Sequence, residues 1–184
     1  MPKTAIAITA LDEEGLLCHL AALVEILRAS VHGGASVGFI LPFEAEEARA
    51  FWLGKVAPAL AAGKRILLIA TVAGEVAGTV QLDLDTFPNQ RHRGEVAKLL
   101  VHPRYRRAGI GRALMAEIER RAAAAGRRLL TLDTAGAEAE RLYLSLGYAP
   151  AGSIPGYARA PLEDRYDATT HMYKSLAQSA ADAL

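Results

Sequence analysis

The chain has 184 residues, of which 52% are hydrophobic and 22% are charged, and its formal net charge is +1. This size and composition predict one folded domain with a full-sized core and argue against intrinsic disorder. The single cysteine excludes a disulfide framework and a cysteine-based zinc cluster, and no apolar run reaches the ~18 residues that a membrane-spanning helix needs. We therefore expect a cytoplasmic protein with no membrane partner and no metal.

The first third of the chain predicts a strand followed by two helices. Residues 3–11 favour a short strand, and leucines at helical spacing predict a long amphipathic helix over residues 13–30. The glycine-rich residues 31–40 predict a loop. A second helix is expected over residues 44–63, with an acidic first turn and a closing glycine, although Pro58 would kink or shorten it.

The middle of the chain predicts a hairpin, a further strand and a helix. Residues 65–72 and 76–85 are typical of two paired strands joined by a tight turn. A loop over residues 88–94 separates them from the next strand, at residues 95–102. The helix that follows ends near Ala125, where a glycine stops it.

The last third predicts one more strand, one more helix and a final pair of strands, over residues 128–134, 137–147, 148–158 and 169–176 respectively. We expect residues 177–184 to form a frayed tail. Residues 1–176 are then expected to form a single α+β domain, since no linker or internal repeat interrupts them.

Positive charge is concentrated in one part of the chain. Residues 104–128 contain eight arginines and two glutamates, so the remaining residues carry a net charge of about −5. A local basic patch in a near-neutral protein favours a small polyanion as ligand over a nucleic acid. The later arginines of this stretch are interpreted instead as part of a solvated surface: Arg120, Arg121, Arg127 and Arg128.

The segment RRAGIG, residues 106–111, connects a predicted strand to a predicted helix. The first N–H groups of a helix lack intrahelical partners, and glycines in the preceding turn let the backbone approach a ligand. Together with the arginines, these donors predict a phosphate cradle. The phosphate loop of nucleotide hydrolases and the dinucleotide fingerprint do not fit, because Arg112 follows the second glycine and Leu114 stands where a third glycine belongs. A turn that serves only the fold remains an alternative.

RRAGIG resembles the Arg/Gln-x-x-Gly-x-Gly/Ala pyrophosphate loop of the GNAT acyltransferase superfamily. KLLVHP (residues 98–103) is similar to the splayed strand of that family, and AERLYLSLGY (residues 139–148) to its closing helix. The resemblance covers nearly the whole chain and implies the GNAT fold, a mixed and mostly antiparallel sheet with a splayed pair of strands, flanked by helices. One departure is Gly136, where many members of the family carry asparagine.

The resemblance implies acetyl-CoA as co-substrate and assigns its contacts. The pantetheine arm would pair with the main chain of Leu99, Leu100 and Val101, with the Val101 N–H facing the thioester carbonyl. The pyrophosphate would lie on the turn and the helix start, formed by Arg106, Arg107, Ala108, Gly109, Ile110, Gly111 and Arg112.

Three residues are candidates for the chemistry. Glu95 matches a glutamate that serves as general base in many relatives, often through water, although it also fits an exposed charge at a strand end. Tyr143 matches the family's helix tyrosine, a general acid near the sulfur, and the alternative is a core aromatic. Asp133 fits equally well a capping residue ahead of the helix at residue 137 and a ligand of the acceptor amine.

The acceptor is expected to be the primary amine of a small molecule. The loop VHGGASVGF (residues 31–39) resembles that of the tabtoxin-resistance acetyltransferases within the family, which suggests an amino-acid-like or β-lactam toxin and makes His32 and Ser36 candidates for substrate contacts. The alternatives are transfer to a protein lysine or N-terminus, and a non-catalytic acyl-CoA binding module. The protein is expected to be a monomer or homodimer.

Overall fold

The computed structural model describes residues 5–176, so the tail predicted at residues 177–184 lies outside the described residues. Seven strands form one sheet in the order β1-β2-β3-β4-β5-β7-β6. Their bounds are β1 Ile6–Leu11, β2 Arg65–Val72, β3 Glu75–Asp83, β4 Arg93–Val101, β5 Leu129–Thr134, β6 Ala149–Arg159 and β7 Tyr166–Ser175. Every neighbouring pair is antiparallel except β4 with β5. The predicted mixed, mostly antiparallel sheet is confirmed.

Helices cover both faces of this sheet. They are α1 Glu13–Cys18, α2 Leu20–His32, α3 Ala45–Phe51, α4 Ala57–Ala61, α5 Ile110–Ala124 and α6 Ala137–Ser145. Because successive strand residues point to opposite faces, β2 sends Leu67 and Ile69 into the core formed with α1 to α4. Its Leu68 and Ala70 enter the other core, which contains α5 and the α6 residue Tyr143.

Both predicted N-terminal helices are interrupted. The single helix predicted over residues 13–30 is wrong, because at His19 the backbone leaves the helical region (ψ 9°) and separates α1 from α2. The second helix breaks as its proline suggests. Pro58 has no N–H to continue the helical ladder, and the chain widens into a π turn at Trp52–Val56 in which the Ala57 N–H donates to the Trp52 carbonyl.

Two irregularities in β4 open the sheet. The partners Gln81–Ala97 and Thr79–Leu100 leave one extra residue on β4, a bulge at which Lys98 adopts a φ of +52°. On its other side β4 pairs with β5 only over Arg93–Glu95. Beyond that point the two strands separate, which confirms the splayed pair and leaves one side of β4 without a strand partner among residues 5–176.

Candidate active site

A cavity of about 910 Å³ lies where β4 and β5 separate. Its walls are the loop after α2, the second half of β4, the arginine-glycine turn, the end of β5, and α6. The structure therefore brings most of the sequence-predicted site residues to one place: Ser36, Leu99, Leu100, Val101, Arg106, Arg107, Gly109, Ile110, Gly111, Arg112, Asp133 and Tyr143. Glu95, His32 and Ala108 do not line it.

The turn before α5 presents unpaired main-chain donors. Gly109 is the N-cap of α5 and has a φ of +83°, a left-handed conformation that glycine adopts without strain. The first helical hydrogen bond runs from the Ala113 N–H to the Gly109 carbonyl. The N–H groups of Ile110 to Arg112 precede it and have no intrahelical partner. Together with the positive end of the helix dipole, they suit a bound anion.

The arginines of the turn add positive charge beside these donors. Arg107 lies 3.7 Å from Glu138, and both side chains are so exposed that the pair is weak. Arg112 donates a 2.7 Å hydrogen bond to the Ser145 hydroxyl of α6, which holds its guanidinium at the cavity wall. The residues present therefore fit a pyrophosphate. By contrast, Arg120 and Arg121 pair with Glu117 on the surface of α5, as predicted for a solvated face.

Gly111 has a second role, in packing. A Cβ placed on Gly111 would stand 3.2 Å from the Leu142 Cδ2 of α6, closer than ordinary contacts allow. The missing side chain thus brings α6 close to α5. Gly109 therefore serves the left-handed turn and Gly111 the helix contact, and the phosphate-cradle interpretation stays a prediction.

Tyr143 and Asp133 come together across the cavity. The Tyr143 side chain is 7% exposed, and burial, reinforced by the charge of Asp133, raises the pKa of its phenol to about 12. The hydroxyl therefore stays protonated, and able to donate, far above neutral pH. Asp133 lies in β5, whereas the N-cap of α6 is Gly136 with no side-chain cap bond. The capping interpretation of Asp133 is therefore wrong. Asp133 instead lines the cavity.

A family comparison decides the class of protein. The model of the acetyltransferase (GNAT) family matches residues 31–148, which include both diverging strands, the turn and Tyr143. The chain belongs to the GNAT acetyltransferase family. The predicted family is confirmed.

Relatives of this GNAT acetyltransferase agree with the assignment. The IAA acetyltransferase of Azospirillum brasilense is 37% identical over 97 residues, which are 52% of this chain and 61% of that protein, so the match spans less than two thirds of the relative. The ribosomal-protein-alanine N-acetyltransferase of Brucella melitensis is 25% identical, with a TM-score of 0.75 over 92% of this chain and 99% of the other. The protein yncA of Salmonella typhimurium, solved with its cofactor acetyl-CoA, shares the fold at 22% identity, with a TM-score of 0.76 over 98% of this chain and 100% of the other.

Glu95 of this acetyltransferase stands at the closed end of the gap between the strands. Its carboxylate lies 3.6 Å from Arg93, and its side chain is about half exposed. Glu95 pairs with Thr131 in register, and Thr131 shares a sheet face with Asp133 two residues further on. The two carboxylates thus lie on one face, but only Asp133 lines the cavity. The catalytic role of Glu95 stays a prediction.

The loop after α2 contributes Ser36 to the cavity wall. His32, the last residue of α2, lies outside it, with Nε2 2.9 Å from the Phe43 carbonyl. A carbonyl only accepts, so that ring nitrogen donates the hydrogen bond. In this structure His32 links the end of α2 to the residues just before α3.

Sequence reasoning missed Lys98. This residue sits at the β4 bulge, lines the cavity, and places Nζ 6.0 Å and 5.8 Å from the ring centres of Phe39 and Phe51. Burial lowers the pKa of its ammonium group. The available signal was one charged residue inside the apolar run EVAKLLV.

Two further searches cover the described part of the chain only. Residues 5–176 hold no cluster of three or more histidine, cysteine or acidic side chains arranged to bind a metal ion. Within the same residues, no helix has the length and apolar character to cross a bilayer.

Proposed function

We propose that this acetyltransferase moves an acetyl group from acetyl-CoA to the primary amine of a small molecule, by direct attack of the amine. The observation that carries the proposal is the cavity between β4 and β5, which has the anion cradle of the turn in one wall and Tyr143 with Asp133 in another. Acetyl-CoA supplies the activated thioester. The cradle and the unpaired side of β4 support it as donor, with the main chain of Leu99 to Val101 along the pantetheine arm.

The residues around the cavity match the three needs of the reaction. The acceptor ammonium must lose a proton, since an alkyl ammonium with a pKa of about 10 has no lone pair at neutral pH. Asp133 receives this ammonium at the cavity wall, and Glu95 accepts its proton through water. The Val101 N–H donates to the developing oxyanion. As the C–N bond forms and the C–S bond breaks, Tyr143 gives its proton to the leaving thiolate.

The loop after α2 supports a small molecule as the acceptor. The resemblance of residues 31–39 to the tabtoxin-resistance acetyltransferases supports an amino-acid-like or β-lactam amine, with Ser36 as a contact. We further propose that the protein is cytoplasmic and that it is either a monomer or a homodimer.

A second candidate acceptor is a protein N-terminus. The solved neighbour from Brucella melitensis is named for transfer to a ribosomal protein alanine, and it is 25% identical to this chain. A third possibility, an acyl-CoA binding module without catalysis, is disfavoured because Tyr143 and Asp133 both line the cavity.

Mass spectrometry of reaction mixtures separates these candidates. The protein is incubated with acetyl-CoA and either a pool of small amines from a cell extract or a pool of peptides with free N-termini. We expect new acetylated products among the small amines only. Acetylated peptides in place of acetylated metabolites would instead establish the second candidate.

A further inference from the structure

Lys98 is a charged side chain of the cavity that, like Glu138 and Arg141 of α6, the proposed chemistry does not use. It neither donates a hydrogen bond nor forms an ion pair with any residue of the range 5–176, although burial lowers the pKa of its ammonium. A half-buried cation without a directly bonded partner is costly, because lost hydration is only partly replaced by the more distant charge of Asp133. A ligand that brings a negative charge to this place would relieve that cost.

The backbone at Lys98 has an energetically unfavourable conformation. A φ of +52° is uncommon for a residue with a side chain, and here it arises from the extra residue of the β4 bulge. The ammonium lies over the rings of Phe39 and Phe51. Strain of this kind persists where the surrounding structure holds it, and it is concentrated at functional sites.

A side chamber of about 340 Å³ opens next to Lys98 and shares its wall with the main cavity. Lys55 and Glu47 also line it, along with Val37, Gly38, Phe39 and Phe51. The Glu47 carboxylate accepts from the Glu44 N–H in the capping box of α3. The charged residues of the chamber are thus two lysines and one glutamate, an excess of one positive charge that favours an anion.

Other charged groups near Lys98 are neutralised or lie opposite it. Arg65 pairs with Asp83 and Glu95 with Arg93. Asp133 faces Lys98 from β5, and it is the strongest favourable charge that Lys98 experiences, but no ion pair joins the two. The gap between the strands thus holds a separate cation on β4 and a separate anion on β5.

We propose that Lys98 binds a carboxylate of the acceptor while Asp133 holds its ammonium, so the acceptor is a small zwitterion of the amino-acid type. This inference rests on the proposed acetyl transfer and adds the two charged residues that would bind an amino-acid-like acceptor. Lys98 is then a specificity-determining residue, since the carboxylate that it binds takes no part in bond formation. The aromatic wall of Phe39 and Phe51 would lie beside the bound carboxylate and receive an apolar part of the acceptor.

The test compares acceptors that differ only in the carboxylate. Thiol release from acetyl-CoA is measured with α-amino acids against their carboxamides, and with γ-aminobutyrate against butylamine. For the preferred pair, wild type should favour the carboxylate member by roughly 10- to 100-fold in kcat/KM, as expected for a charge-assisted hydrogen bond.

The variants isolate the charge of Lys98. Lys98→Met keeps the aliphatic stem and the same backbone strain, and should abolish the preference by raising KM for the carboxylate member only. Lys98→Arg should keep part of the preference, and Lys64→Met, which removes an exposed lysine outside the cavity walls, should leave it intact. Circular dichroism spectra check that each variant is folded.

Calorimetric binding of the same pairs in the presence of coenzyme A separates this proposal from the proposed function. If no member of any pair releases thiol, yet the acid binds better than the amide and Lys98→Met removes the difference, acetyl transfer is contradicted and the anion site stands. If acids and amides bind alike, or neither binds, the Lys98 site is overturned. The same holds if Lys98→Met lowers kcat/KM equally for both members of a pair.

Discussion

Tyr143 combines burial with a place in the cavity wall. Its hydroxyl is removed from water and faces the negative charge of Asp133, and both effects favour the neutral phenol. A proton donor to a leaving thiolate has to remain protonated while the reaction runs. The raised pKa secures this at every pH at which the enzyme is expected to work.

Replacement of Tyr143 by phenylalanine tests the donor. Tyr143→Phe keeps the ring that packs against Tyr148 at 5.8 Å, so thermal stability and coenzyme A affinity should change little. Turnover should fall by roughly 10- to 10³-fold because the thiolate leaves without a proton. Steady-state thiol release and calorimetry measure the two quantities, and unchanged turnover would make Tyr143 a core aromatic only.

The pH dependence offers a separate check on the same group. A pKa raised to about 12 means that the donor is present below that pH and is lost only above it. The kcat of wild type should therefore stay level on the alkaline side through about pH 10, where an ordinary tyrosine is half ionised. An alkaline decline centred near pH 10 that Tyr143→Phe abolishes would contradict the raised pKa.

The two carboxylates of the site differ in position, and their variants should differ in effect. Asp133→Asn removes the charge that lines the cavity, and we expect kcat/KM to fall by roughly 10²-fold at neutral pH. Glu95→Gln, at the closed end of the gap and next to Arg93, should cost less, and its defect should shrink as rising pH supplies free amine. A larger loss for Glu95→Gln, measured on the same acceptor, would make Glu95 the main site of amine recognition.

At the scale of elements, the first turn of α5 is the proposed binding site of the cofactor pyrophosphate. It combines a left-handed glycine, unpaired N–H groups and flanking arginines at one edge of the cavity. Glycines with positive φ stand at both ends of this helix, Gly109 before it and Gly126 after it, and neither has an atom within 4 Å of an added Cβ. This pair allows a matched experiment.

Alanine at either glycine should destabilise the protein by a similar amount, about 1–2 kcal/mol, because both positions are left-handed. Only Gly109→Ala should also weaken coenzyme A binding, since only that residue lies in the cradle. Calorimetry with coenzyme A and chemical denaturation of both variants provide the comparison. Equal affinities for the two variants would mean that the pyrophosphate lies elsewhere.

The elements themselves show what sequence reasoning can reach. The hydrophobic periodicity and the positions of glycine and proline predicted the hairpin, the strand β4 and the helix α5, because these signals are local. The break at His19 has no proline or glycine beside it, so the local sequence did not predict it. The bulge at Lys98 and the parting of β4 from β5 depend on strands that are distant in sequence, and they decide which charges enter the cavity. For this reason the motif predicted Tyr143 and the turn, while Lys98 was missed and the position of Glu95 was not foreseen.

At the scale of the whole molecule, a half-buried ion pair links β7 to α5. Lys174 of β7 donates a 2.6 Å hydrogen bond to Glu119 of α5 and a 2.7 Å bond to the Leu146 carbonyl after α6. These contacts connect the last strand to α5 and to the C-terminal end of α6. They stabilise the arrangement on which the distance between the turn and Tyr143 depends.

Removal of Lys174 should therefore destabilise the fold. Lys174→Met leaves the Glu119 carboxylate, 16% exposed, without its cation, and we expect a loss of about 2–4 kcal/mol, near the range for broken buried pairs. Lys64→Met, which breaks the exposed pair with Asp85, should cost less than about 1 kcal/mol. Urea denaturation measures both, and equal losses would show that the Lys174 contacts add nothing beyond a surface pair.

The central claim is that the cavity between β4 and β5 joins acetyl-CoA to a small amine. The most direct measurement is the rate of thiol release from acetyl-CoA by wild-type protein, with and without a pool of small amines that includes amino acids. We predict a rate that depends on the amine pool and saturates with it. Tight binding of acetyl-CoA, with thiol release no faster than in the absence of amines, would contradict the account and identify an acyl-CoA binding protein.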